Sequence, residues 1–147
     1  MRPTSLKQVF DHSYFRVMRE ERDDIEFFPA FYNHLATKSA RIEEKFAGIN
    51  MAQLARTQRP GIYHLLTYFD TDEPTEYLRH LAALHGPKYL DIAPELLDLW
   101  LEAILETVRD YDPDFDSEVE AAWRAVLQKG IGFLKDAYAA QAAETKI

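Results

Sequence analysis

His85 is the residue of this sequence whose position best suits chemistry. It closes an apolar helical stripe that includes Leu78 and Leu81, so its imidazole is expected to point toward the core. Gly86 and Pro87 follow directly and predict that the helix ends at His85. A neutral imidazole held in a last turn can ligate a metal through one ring nitrogen. The ordinary alternative is a core histidine with a satisfied hydrogen bond, which is commoner for a histidine on an apolar face.

Few other motifs compete with His85. The sequence has no nucleophile elbow, no phosphate-binding loop and no HExxH motif. It also has no cysteine, which excludes disulfides, thiolate nucleophiles, iron–sulfur clusters and cysteine-bound zinc. The other histidines lack partners at a helical spacing suited to a metal, and the acidic runs are interpreted as solvated faces. Any metal must therefore use histidine, carboxylates or an organic cofactor.

Composition narrows the class of protein. A chain of 147 residues with 47% hydrophobic and 29% charged residues predicts one domain over residues 1–147, with a substantial core. The net charge of −8 and the pI near 5.1 argue against nucleic-acid or anionic-membrane partners, because no basic run is present to neutralise phosphates. No apolar run has the length of a membrane span, and the amino terminus lacks the apolar core of a signal peptide. We therefore expect a cytoplasmic protein.

The elements that must position His85 are predicted to be helices, since no segment alternates as a strand does. The first runs from a cap at Thr4 or Ser5 to about Arg19, the second is opened by Asp23 and Asp24 with Pro29 inside it, and a short one covers residues 39–46. A long helix from Asn50 to about Phe69 with a bend at Pro60, the His85 helix from Thr75, a helix from Pro94 and a last helix with a capping box at residues 117–120 complete the chain.

Five stretches of the chain carry a family resemblance when taken in order. They are residues 27–46, residues 50–54, His85, residues 92–100 and residues 111–131. Together they resemble the single-domain bacterial globins over nearly the whole chain. The resemblance implies an all-α globin fold of about seven helices around a haem pocket. It matches His85 to the proximal histidine, Phe46 to the phenylalanine that packs on haem, and Trp123 to a tryptophan of the last helix.

Haem binding explains the residue types along these helices. A histidine-ligated haem needs a neutral imidazole, a large apolar slot and a second face that is open or polar. The resemblance implies haem, an iron protoporphyrin, as the cofactor, with its iron on His85. Apolar side chains of the slot are expected on two helices, at Leu78, Leu81, Ile92, Leu96, Trp100 and Ile104. The expected cofactor contacts are Phe46, Leu54, Leu81, Ile92 and Trp100.

The second, distal face is expected on the long middle helix, where one stripe contains Leu54, Thr57, Gln58, Gly61 and Leu65 and no histidine. Members of the family commonly have glutamine where ungapped alignment places Leu54, and Gln58 follows one turn later. Either the polar group has moved by a turn or the preceding loop differs in length. In both cases Tyr32 is the expected hydrogen-bond donor to a bound ligand, with Gln58 second. The alternative for Tyr32 is a core tyrosine that donates to a backbone carbonyl.

The resemblance implies reversible binding of a diatomic gas, namely oxygen, carbon monoxide or nitric oxide. Oxygen transport or storage, sensing and detoxification would all use this pocket. An enzymatic role is left open. Nitric-oxide dioxygenation would need a separate reductase, because a chain of this length is too short to include one. The alternative is a haem-free globin-fold regulatory interaction module, against which the presence of His85, Phe46 and Tyr32 argues. A homodimer is compatible with the sequence, and spacing does not decide which of Lys45, Arg56, Arg59 and Lys88 meets the haem propionates.

Overall fold

Helices make up most of the chain that the structure describes. The structure is a computed structural model that describes residues 5–144, except for the side chains of residues 51, 52 and 54–60. Within that range the helices are α1 (Leu6–Arg19), α2 (Phe27–Ala36), α3 (Ala40–Phe46), α4 (Met51–Thr71), α5 (Glu76–His85), α6 (Pro94–Tyr111) and α7 (Ser117–Glu144). The predicted all-α fold with about seven helices is confirmed.

The start of the second helix was predicted too early. Asp23 and Asp24 have φ angles of 53° and 63° and form the turn of a small hairpin, β1 (Glu21–Arg22) with β2 (Ile25–Glu26). Aspartate tolerates this left-handed region, which a two-residue hairpin turn requires. Helix α2 therefore begins at Phe27, and Pro29 lies in its first turn, where proline is tolerated. The prediction that no strand occurs was wrong for these two short segments.

One further local prediction was wrong. The long middle helix is not part of it, since α4 runs as one element from Met51 to Thr71, and the bend at Pro60 stays a prediction. Ser117 does not cap the last helix. The Asp116 carboxylate accepts a hydrogen bond from the Val119 backbone N–H at 2.8 Å, which moves the cap back by one residue.

The core is centred on α7, which packs against α1, α4, α5 and α6. Trp123 of α7 is 0% exposed, in agreement with its predicted place in the core. Its ring centroid lies 4.6 Å from that of Phe10 and 6.0 Å from that of Phe27. The indole N–H donates to the Ser13 hydroxyl at 2.8 Å, so the tryptophan's polar atom is satisfied inside the core.

A buried ionic network continues from Ser13 and was not predicted. The Ser13 hydroxyl donates to Asp112 at 2.5 Å, and Arg16 donates to both oxygens of the same carboxylate at 2.6 and 2.9 Å. Burial opposes the charge on Asp112, but hydrogen bonds from Arg16, Ser13 and the Asp114 backbone N–H outweigh it and hold the pKa of Asp112 below its ordinary value. The network ties the connection between α6 and α7 to α1.

Candidate functional site

His85 is the last residue of α5. The helix starts at the Thr75 cap, whose hydroxyl accepts a hydrogen bond from the Leu78 N–H, and it ends where Gly86 adopts an extended conformation. The His85 Nδ1 atom lies 2.8 Å from the Leu81 carbonyl oxygen. A carbonyl can only accept, so Nδ1 carries the proton of the neutral ring and Nε2 keeps a free lone pair. Burial lowers the pKa of His85 and outweighs the opposing hydrogen bond to Leu81, which favours this neutral form.

The loop after His85, residues 86–93, is held in place by the end of α7. The Gln141 side-chain oxygen accepts a hydrogen bond from the Lys88 backbone N–H at 2.7 Å, and the Tyr138 hydroxyl donates to Asp91 at 2.6 Å. Gln141 also packs directly over Gly86, because a Cβ atom there would lie 2.3 Å from its side-chain Oε1. A side chain at Gly86 would therefore displace the amide end of Gln141 and break its hydrogen bond to Lys88.

An apolar cavity of about 340 Å³ lies beside His85. Of the residues predicted for the site, Tyr32, Phe46, Leu81, His85, Ile92 and Trp100 line it, as do Leu96, Gly61 and Leu65. Leu78 and Ile104 are fully buried and do not line it, so they belong to the core behind the slot. Leu54, Thr57 and Gln58 fall among the residues whose side chains the structure does not describe.

Tyr32 lies in this cavity as a buried, neutral phenol. It is 3% exposed, and its ring packs edge-on against Phe46 with centroids 5.6 Å apart. Among the residues whose side chains the structure describes, none forms a hydrogen bond with its hydroxyl. Burial, and to a smaller extent the nearby Tyr77 hydroxyl, raises the pKa of Tyr32 far above its ordinary value. The hydroxyl can therefore donate to a ligand in the cavity.

His64 is committed elsewhere. Its Nδ1 lies 2.8 Å from the Thr75 hydroxyl oxygen, and its ring stacks on Tyr77 with centroids 4.3 Å apart. It is absent from the cavity lining, although it belongs to the same helix as Gly61 and Leu65. The described part of the distal wall thus contributes no histidine to the cavity.

Sequence reasoning missed many cavity-lining residues. They are Leu35, Ile42, Ile49, Ile62, Tyr77, Leu90, Leu97, Ile131 and Leu134. Several belong to apolar stripes that the helical period predicts, so their burial was foreseeable. The period of one helix does not say whether a buried side chain faces a neighbouring helix or an enclosed space. The sequence therefore predicted that these residues are buried but not that they line the cavity.

The described residues hold no group of three or more histidine, aspartate or glutamate side chains placed to bind a metal ion together. A single imidazole is enough for a metal whose other ligands belong to a porphyrin. Within residues 5–144, no helix combines the length and apolarity needed to cross a bilayer.

The described helices enclose an apolar cavity lined by one neutral histidine, and this arrangement defines the protein as an all-α fold with an internal pocket. The chain belongs to the globin family, since the family's sequence model, described as Globin, matches residues 11–132. This confirms the family resemblance predicted from the five stretches of sequence.

A solved structure gives a second comparison. Protein PA3967 from Pseudomonas aeruginosa PAO1, described as structurally highly homologous to a human hemoglobin, superposes with a TM-score of 0.84. Its sequence is 36% identical, over 91% of this chain and 98% of that one. No curated protein matches this chain significantly in sequence.

Proposed function

We propose that the protein binds haem through His85 and uses it to bind a diatomic gas reversibly. The observation that carries the proposal is the hydrogen bond from His85 Nδ1 to the Leu81 carbonyl, 2.8 Å long. It fixes the ring and its tautomer and leaves Nε2 as a lone-pair donor in an apolar cavity. Membership of the globin family supports the same assignment.

The walls of the cavity fit a porphyrin. Their described side chains are nearly all apolar, and the volume of about 340 Å³ lies in the range of small-molecule and cofactor sites. Phe46 and Trp100 contribute flat aromatic surfaces. His85 would hold the iron, while Leu81, Ile92 and Trp100 would contact the ring. Haem, when bound, supplies an iron with a coordination position for oxygen, carbon monoxide or nitric oxide.

The acceptor of the His85 proton favours reversible binding. A carboxylate in this place would raise the basicity of the imidazole and push electron density toward a bound ligand. His85 instead donates to a neutral backbone carbonyl. We therefore infer a storage, transport or sensing role in preference to nitric-oxide dioxygenation.

Tyr32 would act on the ligand. A gas that gains partial negative charge on binding is stabilised by a donor inside an apolar pocket, where the hydrogen bond is not weakened by water. The Tyr32 phenol stays protonated and has no competing partner among the described side chains. It would retain oxygen more strongly than carbon monoxide, which remains nearly neutral.

Hemin titration of the apoprotein tests the proposal. We expect a Soret band for the purified protein, and we expect His85→Ala to weaken hemin binding and change the ligation spectrum. His80→Ala is the matched control, because His80 is exposed on the same helix. An unchanged spectrum and affinity for His85→Ala would assign the iron to another ligand. Failure of the wild-type protein to take up hemin would support the haem-free interaction module instead.

A further inference from the structure

Lys45 differs from the other described lysines because its ammonium group has no carboxylate partner among the described side chains. Of the six lysines within residues 5–144, five pair with a carboxylate: Lys7 with Asp11, Lys38 with Glu106, Lys88 with Glu144, Lys129 with Asp72 and Lys135 with Asp98. Lys45 has no such partner among the described side chains. Its Nζ atom donates only to the neutral backbone carbonyl of Leu90, at 3.0 Å. Its positive charge is therefore not compensated by the described part of the chain.

The position of Lys45 places this charge at the apolar cavity. The residue is half-buried in the last turn of α3 and lines the apolar cavity. Among the described lining residues it is the one that is ionised, because burial keeps His85 and Tyr32 neutral. A cation at the edge of an apolar cavity favours a ligand with an apolar body and an anionic end.

Lys45 also lies where the cavity meets solvent. Ile49, Tyr77 and Leu90 line the same cavity and are 44%, 40% and 53% exposed, so the mouth is formed there. The hydrogen bond to Leu90 holds the ammonium group at that mouth. An anionic end placed there would remain partly hydrated while the apolar body is buried, which avoids the cost of burying a charge.

We propose that Lys45 is a specificity-determining residue that binds a carboxylate of the tetrapyrrole at the mouth of the cavity. The inference rests on the proposed haem function and chooses among the four basic residues left open by the sequence. Lys88 is paired with Glu144 at 3.2 Å and does not line the cavity, whereas the side chains of Arg56 and Arg59 are outside the described set. Lys45 would exchange its neutral carbonyl partner for a charged one.

Two forms of hemin separate the charge from the ring. Apoprotein is titrated with hemin, which has two carboxylates, and with hemin dimethyl ester, in which both are neutral. Lys45→Gln is expected to raise the dissociation constant for hemin by about three- to tenfold, between the values for exposed and buried charged pairs, and to leave that for the ester unchanged. Lys45→Arg should bind hemin as the wild type does. Lys88→Gln, with a paired charge outside the cavity, is the matched control and should also match the wild type.

The outcomes are distinguishable. Support requires that Lys45→Gln loses the preference for hemin over its ester, and that added salt reduces this preference in the wild type. Equal weakening of both ligands by Lys45→Gln would overturn the inference, since the side chain would then act by holding the Leu90 loop. Unchanged binding of both ligands would overturn it as well. If the wild-type apoprotein takes up neither form, the haem function itself fails and the inference with it.

Discussion

The two ring nitrogens of His85 have different tasks. Nδ1 fixes the orientation of the ring through Leu81, only four residues earlier on the same helix, so the constraint is local and survives in any packing that preserves α5. Nε2 keeps its lone pair, and the proposed iron binding assigns this atom to the cavity that His85 lines. Tyr32 adds a buried hydroxyl to the same cavity, and no residue whose side chain the structure describes forms a hydrogen bond with that hydroxyl.

Tyr32→Phe tests the donor at the scale of a single atom. A hydrogen bond to a partly charged ligand contributes about 1.5 to 3 kcal/mol, or roughly ten- to 150-fold in affinity. We expect oxygen to dissociate faster by about that factor, with a much smaller change for carbon monoxide. Stopped-flow dissociation of both gases measures this. Tyr77→Phe removes the same atom at the exposed mouth and serves as the control. Equal acceleration of both gases by Tyr32→Phe would indicate that the ring acts by its bulk.

At the scale of the helices, α7 determines the position of the carboxyl-terminal end of α5. Gln141 and Tyr138, on the last turns of α7, hold the 86–93 loop through Lys88 and Asp91. The Ile92 N–H donates to the His85 carbonyl at 2.8 Å, so the loop is also bonded directly to the histidine's backbone. The carboxyl-terminal helix thus positions a histidine that is distant from it in sequence.

A double-mutant cycle tests this contact between elements. Gly86→Ala should reduce the free energy of unfolding of the apoprotein by about 0.5 to 1 kcal/mol, because the new Cβ displaces the Gln141 amide and breaks its hydrogen bond to Lys88. Gln141→Ala removes the obstacle and should cost about 0.5 to 1 kcal/mol on its own, since water can satisfy the exposed Lys88 N–H. Gly86→Ala should then cost little when added to Gln141→Ala. Urea unfolding measures all four proteins, and strictly additive costs would show that Gln141 is not the obstacle.

At the scale of the whole molecule, one buried network joins parts of the core that are far apart in sequence. Its members are Ser13, Arg16, Asp112 and Trp123. Ser13 and Asp112 are 99 residues apart in sequence, yet their side chains are hydrogen-bonded in the interior. The network is fully satisfied, with no buried side-chain nitrogen or oxygen left without a partner among the described residues. The network joins α1 to the α6–α7 connection and to the start of α7, the helix that packs on the site.

Trp123→Ala should lower the free energy of unfolding by roughly 3 to 5 kcal/mol, because the ring is fully buried and its removal leaves a cavity. The Ser13 hydroxyl would lose a donor but still bond to Asp112. Urea melts of apo and holo protein should show similar losses, since Trp123 does not line the cavity. A change near zero would contradict the burial of the indole.

Asp112→Asn probes the same network through pH. The folded pKa of Asp112 lies below its ordinary value of 3.8, so its contribution is fully present above that value and is lost as the pH falls through the folded pKa. At neutral pH we expect Asp112→Asn to lower the free energy of unfolding by about 2 to 3 kcal/mol, because Arg16 loses its buried partner. The difference from wild type should shrink as urea melts are repeated at lower pH, below about 4.

Asp114→Asn is the matched control for that experiment. The Asp114 carboxylate lies 3.6 Å from Arg16 but its side chain is 72% exposed, so its loss should change stability little. A difference between Asp112→Asn and wild type that persists unchanged at acid pH would show that the carboxylate's charge is not what stabilises the network.

The sequence by itself determined the helices and the inward face of His85. Both follow from interactions within one or two helical turns, namely the apolar period, the Ser5, Asn50 and Thr75 caps and the stop at Gly86. The wrong start predicted for the second helix also has a local cause. Asp23 and Asp24 can open a helix or form a hairpin turn, and only the left-handed φ angles distinguish the two.

The tertiary structure alone decided which buried residues enclose a cavity and which charges find partners. Leu78 and Leu81 share one stripe, yet the first faces the core and the second the cavity. Lys45 and Lys88 are equivalent candidates by spacing, but of the two only Lys88 meets a carboxylate among the described side chains. The physical reason is that helical period fixes the direction of a side chain relative to its own axis, whereas cavities and ion pairs depend on how several helices, distant in sequence, dock against one another.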